Sequence, residues 1–218
     1  MPLLTRSRGS PIIPTNFPPE VRFIVKSPGA ALVAVVEDAP QLRSILYKVG
    51  KNSSDTLPHR FLIRKPWSYL LVQYSNVGFA RYDSCNLWFS RKRIESLADP
   101  GLLAAPMPNV IYNTVDLTPH YRCCMGLWRY YSPDAVRLPT DTHLYFWSSV
   151  FNDEYGDAKS KFIPPELEGS TAWKDVLETW QKLKVEPGWK TVELPNCAPV
   201  RTLDEALRAS YVPQYEIL

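Results

Sequence analysis

Short β-rich runs divided by turn residues fill the chain to about residue 131, and helical spacing takes over after about residue 140. Residues 21–26 and 31–37 are rich in valine and flank Ser27-Pro28-Gly29, which predicts a hairpin. Residues 41–50 fit two elements. Leu42, Ile45, Leu46 and Val49 have the spacing of a short helix, whereas 45–49 alone reads as a strand. A polar loop covers 51–58, and from Phe61 the pattern is a meander, with β-rich runs at 61–64, 67–74, 77–82 and 86–89. Ser75-Asn76 and Asp99-Pro100-Gly101 are turns, and Arg91-Lys92-Arg93 opens a predicted helical turn ending near Leu97. Pro106 and Pro108 forbid helix and make 106–112 extended. Residues 113–119 read as a loop and 121–131 as a further strand.

Beyond that point Thr140 or Asp141 can cap a helix whose apolar positions are Leu144, Trp147, Val150, Phe151 and Tyr155. After Pro164-Pro165, Ser170 opens a second helix with the stripe Trp173, Val176, Leu177, Trp180 and Leu183, stopped by Pro187-Gly188. Thr202-Leu203-Asp204-Glu205 is a capping box for a last short helix through Leu207 and Tyr211. Strands first and helices second predict an α+β fold: an antiparallel β meander with helices packed on one face and a C-terminal half that is mainly helical. The expected organisation is an arm at 1–20, one domain over 21–211 with a helical extension at 156–211, and a tail at 212–218.

Composition adds three constraints. At 218 residues, with 45% hydrophobic and 22% charged residues, the chain is long enough for one sizeable core and is not a wholly disordered protein. No apolar run approaches the ~20 residues that span a bilayer, and the N-terminus lacks the apolar segment of a signal peptide. The 21 prolines outnumber the 9 glycines, which leaves little material for a phosphate-binding loop. The net charge of +3 is too small to imply nucleic acid, which needs a clustered basic face; Arg6 with Arg8 and the run 91–93 are the local clusters.

Four cysteines (85, 123, 124, 197) form no framework, and three scattered histidines (59, 120, 143) give no zinc spacing, so neither metal nor cofactor is expected. Free thiols point to a reducing, cytoplasmic setting, or a virion-associated one for a phage protein. The densest chemistry is Pro108-Asn109-Val110 followed by His120-Tyr121-Arg122-Cys123-Cys124-Met125-Gly126. Adjacent strand residues face opposite ways, so one cysteine faces the core and the other outward. An outward thiol beside Arg122 and His120 can act as a nucleophile, and the Asn109 amide is a suitable oxyanion donor. The competing reading of either thiol is a small core residue. For a protein partner, the arm residues Pro11, Ile12, Pro14 and Phe17 and the aromatics Trp128, Tyr130 and Tyr131 are interface candidates.

Three stretches together resemble the ubiquitin-conjugating-enzyme superfamily, in particular its divergent prokaryotic branch typified by the PRTRC-system protein B of plasmids and phages. They are 105–110 with its proline-asparagine-valine element, Cys123-Cys124-Met125-Gly126, and Phe146-Trp147-Ser148-Ser149-Val150-Phe151; Leu87-Trp88-Phe89-Ser90 resembles the aromatic strand before them. The resemblance covers about 60–155 and departs from the pattern at Met107, where the family has histidine, and in the doubled cysteine. It implies either thioester transfer of a ubiquitin-like protein through Cys124, or a relative that keeps the fold without the chemistry. The reading adopted from the sequence is the second: a non-enzymatic interaction or accessory module of a phage or mobile element. The thioester-forming transferase and a virion structural protein docking through its arm are the alternatives. A protein partner is expected; membrane and nucleic acid are not.

Overall fold

Val21–Lys26 (β3) and Leu32–Asp38 (β4) pair antiparallel across the Ser27-Pro28-Gly29 segment, with Ile24 opposite Ala34 and Val25 opposite Val33. The structure, a computed structural model, describes residues 4–5, 13–14, 21–27, 31–49, 57–75, 82–104, 107–115, 118–125, 138–152, 173–183, 200–210 and 214–218. Before β3, Leu4–Thr5 (β1) and Ile13–Pro14 (β2) pair with each other.

After β4 the chain runs through Gln41–Lys48 (β5), His59–Lys65 (β6) and Trp67–Tyr74 (β7). These make one long antiparallel ladder. Leu32 faces Tyr74 and Asp38 faces Ser68 in β4–β7, and the same register resumes with Gln41 facing Lys65 and Tyr47 facing His59 in β5–β6. Carried through the gap, that register sets Pro40 opposite Pro66, and neither has an N–H to give. The ladder therefore breaks there, and its distal half forms a separate sheet.

The main sheet continues with Tyr82–Ser90 (β8), Leu102–Ala104 (β9), Val110–Val115 (β10) and Thr118–Cys123 (β11). Its order is β10-β11-β8-β7-β4-β3-β13, with β9 also on β8; β13 is Glu216–Ile217, within the segment read from sequence as a tail. The second sheet is β12-β5-β6, where Val150–Asn152 (β12) lies parallel to β5. The helices are Pro139–Ser148 (α1), Trp173–Leu183 (α2) and Leu203–Ser210 (α3). No helix among the described residues is long and apolar enough to cross a membrane.

Both faces of the main sheet are buried. Leu32, Ala34, Val36, Leu70 and Val72 face a core closed by β5, β6, α1 and α2, including Ile45, Phe61, Trp147 and Trp180. Val33, Val35, Tyr69, Leu71 and Trp88 face a second core closed by α3 and the segment around Ile94 and Leu97. That arrangement corrects the expected α+β meander with helices on one face and a mainly helical C-terminal half. Strands predominate, with thirteen against three short helices among the described residues, and the helices lie on both faces.

The causes of the differences are local. The first helix ends at Ser148 because Ser149 turns extended (φ −70°, ψ 160°), and Val150 and Phe151 leave the helical stripe to pair with Leu46 and Tyr47. The buried face of α1 is Thr142, His143, Phe146 and Trp147, so Leu144 points outward. The predicted loop at 113–119 is instead mostly strand, because 110–115 and 118–123 pair as a hairpin. The predicted turn after 91–93 does not become helix, since side chains take its backbone donors. Ile94 N–H goes to Tyr69 Oη (2.7 Å), and Glu95 and Ser96 N–H go to Asp99 Oδ2 (2.8 and 3.0 Å). Arg93 is held by both oxygens of buried Glu37. By contrast the capping box forms as read: Glu205 N–H donates to Thr202 Oγ1 and Thr202 N–H to Glu205 Oε2, both at 3.0 Å.

Where the ladder breaks, Lys65 is fully buried and supplies the missing donors. Its Nζ donates to the carbonyls of Asp38 (2.9 Å), Ala39 (2.9 Å) and Pro66 (2.8 Å) and reaches Ser68 Oγ at 3.1 Å. Asp38 Oδ2 lies 3.4 Å away as counterion and also meets Arg43 at 2.6 Å and His143 Nε2 at 3.0 Å. A carboxylate only accepts, so Nε2 carries the proton in this contact. Burial opposes the Asp38 charge, but the His143 hydrogen bond and the charges of Lys65, His143 and Arg43 outweigh it and hold the carboxyl well below its ordinary range. Burial draws Lys65 down to about 8 against the pull of Asp38, which still leaves an ammonium at neutral pH.

Asp38→Asn leaves that ammonium without a counterion and is expected to cost about 3–5 kcal/mol, measured by urea unfolding at pH 7. The Asp38 contribution is complete above the ordinary carboxylate value and is lost as pH falls below it toward the depressed folded value. The variant should therefore show a shallower fall in stability between about pH 4 and pH 2. An unchanged acid limb would show that Asp38 carries no such linkage.

Candidate functional site

The turn at 107–110 sets the site. Met107 is buried, Val110 N–H donates back to Met107 O (3.2 Å), and Asn109 sits in the left-handed region at φ 63°. Asparagine is the residue other than glycine that enters this region most readily, which explains its place here. Val110 then starts β10 opposite Cys123, and Cys124 N–H donates to Asn109 O at 2.6 Å. The backbone alone thus fixes Cys124 beside Asn109.

The two adjacent thiols diverge. Cys123 is buried in the first core with Cys85, and burial, followed by the Cys85 hydrogen bond, pushes its thiol well above the usual range. Such a thiol is a packing group, not a nucleophile. Cys124 is partly exposed and lines a pocket of about 270 Å³ with Asn109, Met125, Tyr145, Ser148 and Ser149, bounded by Val150 and Asn152 of β12. Arg122, expected beside the thiol, is exposed and is not part of this wall.

The Asn109 side chain spans the gap to β12. Its Oδ1 accepts the Asn152 N–H at 3.0 Å, and its Nδ2 donates to Val150 O at 3.4 Å. Both ends of the amide therefore serve a short edge strand whose other neighbour is β5. Among the described residues the wall contains no His, Asp, Glu, Lys or Arg, so neither a carboxylate or imidazole base nor a cation faces Cys124. No cluster of His, Cys, Asp and Glu able to hold a metal ion occurs among the described residues.

The sequence-predicted residues thus separate into three groups. Asn109 and Cys124 come together with Ser148 and Ser149 of the 146–151 stretch. Pro14 lies in β2 opposite Leu4. The candidates Pro11, Ile12, Phe17, Trp128, Tyr130 and Tyr131 lie outside the described residues. Sequence reading missed Tyr145 and Asn152 as wall residues, and the corner of Lys65, Asp38 and His143. No local pattern marks them, because their partners lie far off in sequence: Asn152 pairs with Lys48 and His143 meets Asp38, each about a hundred residues away, and Lys65 reaches Asp38 across 27.

Comparison of the chain with family models, with curated proteins and with solved structures gives no match.

The amide bridge has a measurable signature. Asn109→Gly keeps the left-handed backbone and removes only the bridge, whereas Asn109→Ala also forces a Cβ-bearing residue without the Asn side chain into that region. Both should expose the Asn152 amide to faster hydrogen exchange, with the alanine variant about 1 kcal/mol less stable than the glycine one. Equal stability of the two variants would mean that the positive φ carries no strain.

Proposed function

We propose that the chain is a non-enzymatic interaction module, an accessory protein of a phage or mobile element. The observation that carries this reading is the use of the Asn109 amide. An oxyanion donor must aim its N–H at the place where charge develops, and this N–H is directed at the Val150 carbonyl. Among the described residues the pocket wall also offers Cys124 no carboxylate or imidazole base and no cation. The three stretches that resemble ubiquitin-conjugating enzymes contribute Asn109, Cys124, Ser148 and Ser149 to one pocket, which supports a relative that retains the arrangement without the reaction.

The transferase reading is favoured by one observation: Cys124 is partly exposed where Cys123 is not. Transfer would begin with attack of the Cys124 sulfur on an activated acyl carbon of the ubiquitin-like protein, forming a thioester as the thiol proton passes to solvent and the activating group leaves with the bonding electron pair. Affinity capture from cells of the native source separates the two readings. Wild type and Cys124→Ser should recover the same partners in equal amount, all released by denaturant. A wild-type adduct that survives denaturant, is cleaved by hydroxylamine and is missing in Cys124→Ser would establish the transferase instead.

A further inference from the structure

The second sheet has an outer face that neither core uses. Alternation sends Ile45, Tyr47, Phe61, Ile63 and Phe151 inward, so the intervening positions of β5, β6 and β12 point away. There Leu42 is 65% exposed, Leu62 51% and Val150 43%. The register sets Leu42 opposite Arg64, Ser44 opposite Leu62, and Leu46 between Arg60 and Val150. Apolar and cationic side chains therefore alternate over the face, and Arg60 Nε is steadied by Ser44 Oγ at 2.8 Å. Lys48 extends the same outward row. No Asp or Glu occurs in any of the three strands. Contiguous aliphatic groups rimmed by charges of one sign mark an interaction surface and not a random scatter of exposed leucines.

We propose that this face docks an acidic protein segment with apolar side chains at alternate positions, laid over β5 and β6. The proposal rests on the interaction-module reading and gives it a surface and a partner chemistry. Charge decides the occupant. A second copy docked through the same face would set Arg60, Arg64 and Lys48 against their own likes with no carboxylate in the three strands to come between them. Nucleic acid gains little from it, because the outward positions carry aliphatic groups where base stacking needs aromatic ones. Side chains rising from a flat sheet also give an anionic membrane little to bury, compared with the apolar face of an amphipathic helix.

The test uses the full chain and a fluorescein-labelled decapeptide of alternating glutamate and leucine, with lysine-for-glutamate and serine-for-leucine controls. Fluorescence anisotropy should show saturable, salt-sensitive binding of the glutamate–leucine peptide alone. Affinity should fall tenfold or more for Leu42→Ser/Leu62→Ser and for Arg60→Glu/Arg64→Glu, and the second variant should gain affinity for the lysine peptide. All four positions are exposed, so both variants should melt as wild type does; the charge-reversal variant carries the test if the serine variant does not fold. Absence of saturable binding to wild type, or equal binding by the variants, overturns the proposal. So does face-dependent binding to phosphatidylserine vesicles but not to peptide, or a dimer in light scattering that Arg60→Glu/Arg64→Glu disperses. In the cellular capture, equal recovery by wild type and the charge-reversal variant overturns this face but leaves the interaction reading standing. A Cys124-dependent covalent adduct overturns that reading itself.

Discussion

One buried ammonium holds the architecture together. The long ladder of β4–β7 and β5–β6 meets two prolines in register, and the backbone cannot donate across that point. Leaving a buried carbonyl unsatisfied costs on the order of 1–3 kcal/mol. The carbonyls at this bend are bonded in a buried setting at Pro66 and in partly buried ones at Asp38 and Ala39. Lys65 answers three of them at once, and Asp38 balances its charge. The same carboxylate meets His143 of α1, and Trp147 of α1 lies under the cations, with its ring centre 5.4 Å from Arg43 Cζ and 6.0 Å from Lys65 Nζ. The corner thus fixes the direction of the second sheet and the seat of the first helix together.

The pocket follows from that seat. Helix α1 ends at Ser148, Ser149 turns, and β12 falls onto β5 in parallel while Asn109 reaches over from the main sheet. Two sheets and one helix therefore meet at Cys124: α1 runs directly into β12, whereas Asn109 and β5 come from distant parts of the chain. The second face of the main sheet is built by independent means. Buried Glu37 gathers Arg93, Tyr69 and Arg22, and α3 closes the apolar surface around Trp88 and Tyr121, whose rings meet edge to face at 4.6 Å.

Runs of β-branched, aliphatic and aromatic residues mark β3, β4, β7 and β8 plainly, and helical spacing finds α2 and α3, because in these elements local preference and tertiary burial agree. Conflict between the two explains the rest. Phe151 has the spacing to continue α1 from Phe146 and Trp147, yet as a strand residue it reaches the same core against Tyr47, and burial decides. Leu42, Ile45, Leu46 and Val49 match a helix, but the antiparallel partner at 59–65 makes the first three a strand that ends at Lys48, before Val49. Cys124 and Asn109 stand out as polar groups near a strand end, so their meeting was legible. The use of Asn109 as a brace was not, since it depends on β12, a strand of three residues defined only by its neighbours.

The treatment of sheet borders bears on how the molecule avoids uncontrolled association. Open strand edges are templates for pairing with further chains. In the two larger sheets β13 has two residues and β12 three, too few to recruit a foreign strand. On β6 the Leu62 N–H, which would otherwise invite one, is taken by Gln181 Oε1 of α2 at 2.6 Å. At the other border of the main sheet, β10 is six residues long and pairs on one side only, with β11, among the described residues. A foreign strand added there would lie along the strand that begins beside Asn109, so edge-to-edge growth at that border would reach the mouth of the Cys124 pocket.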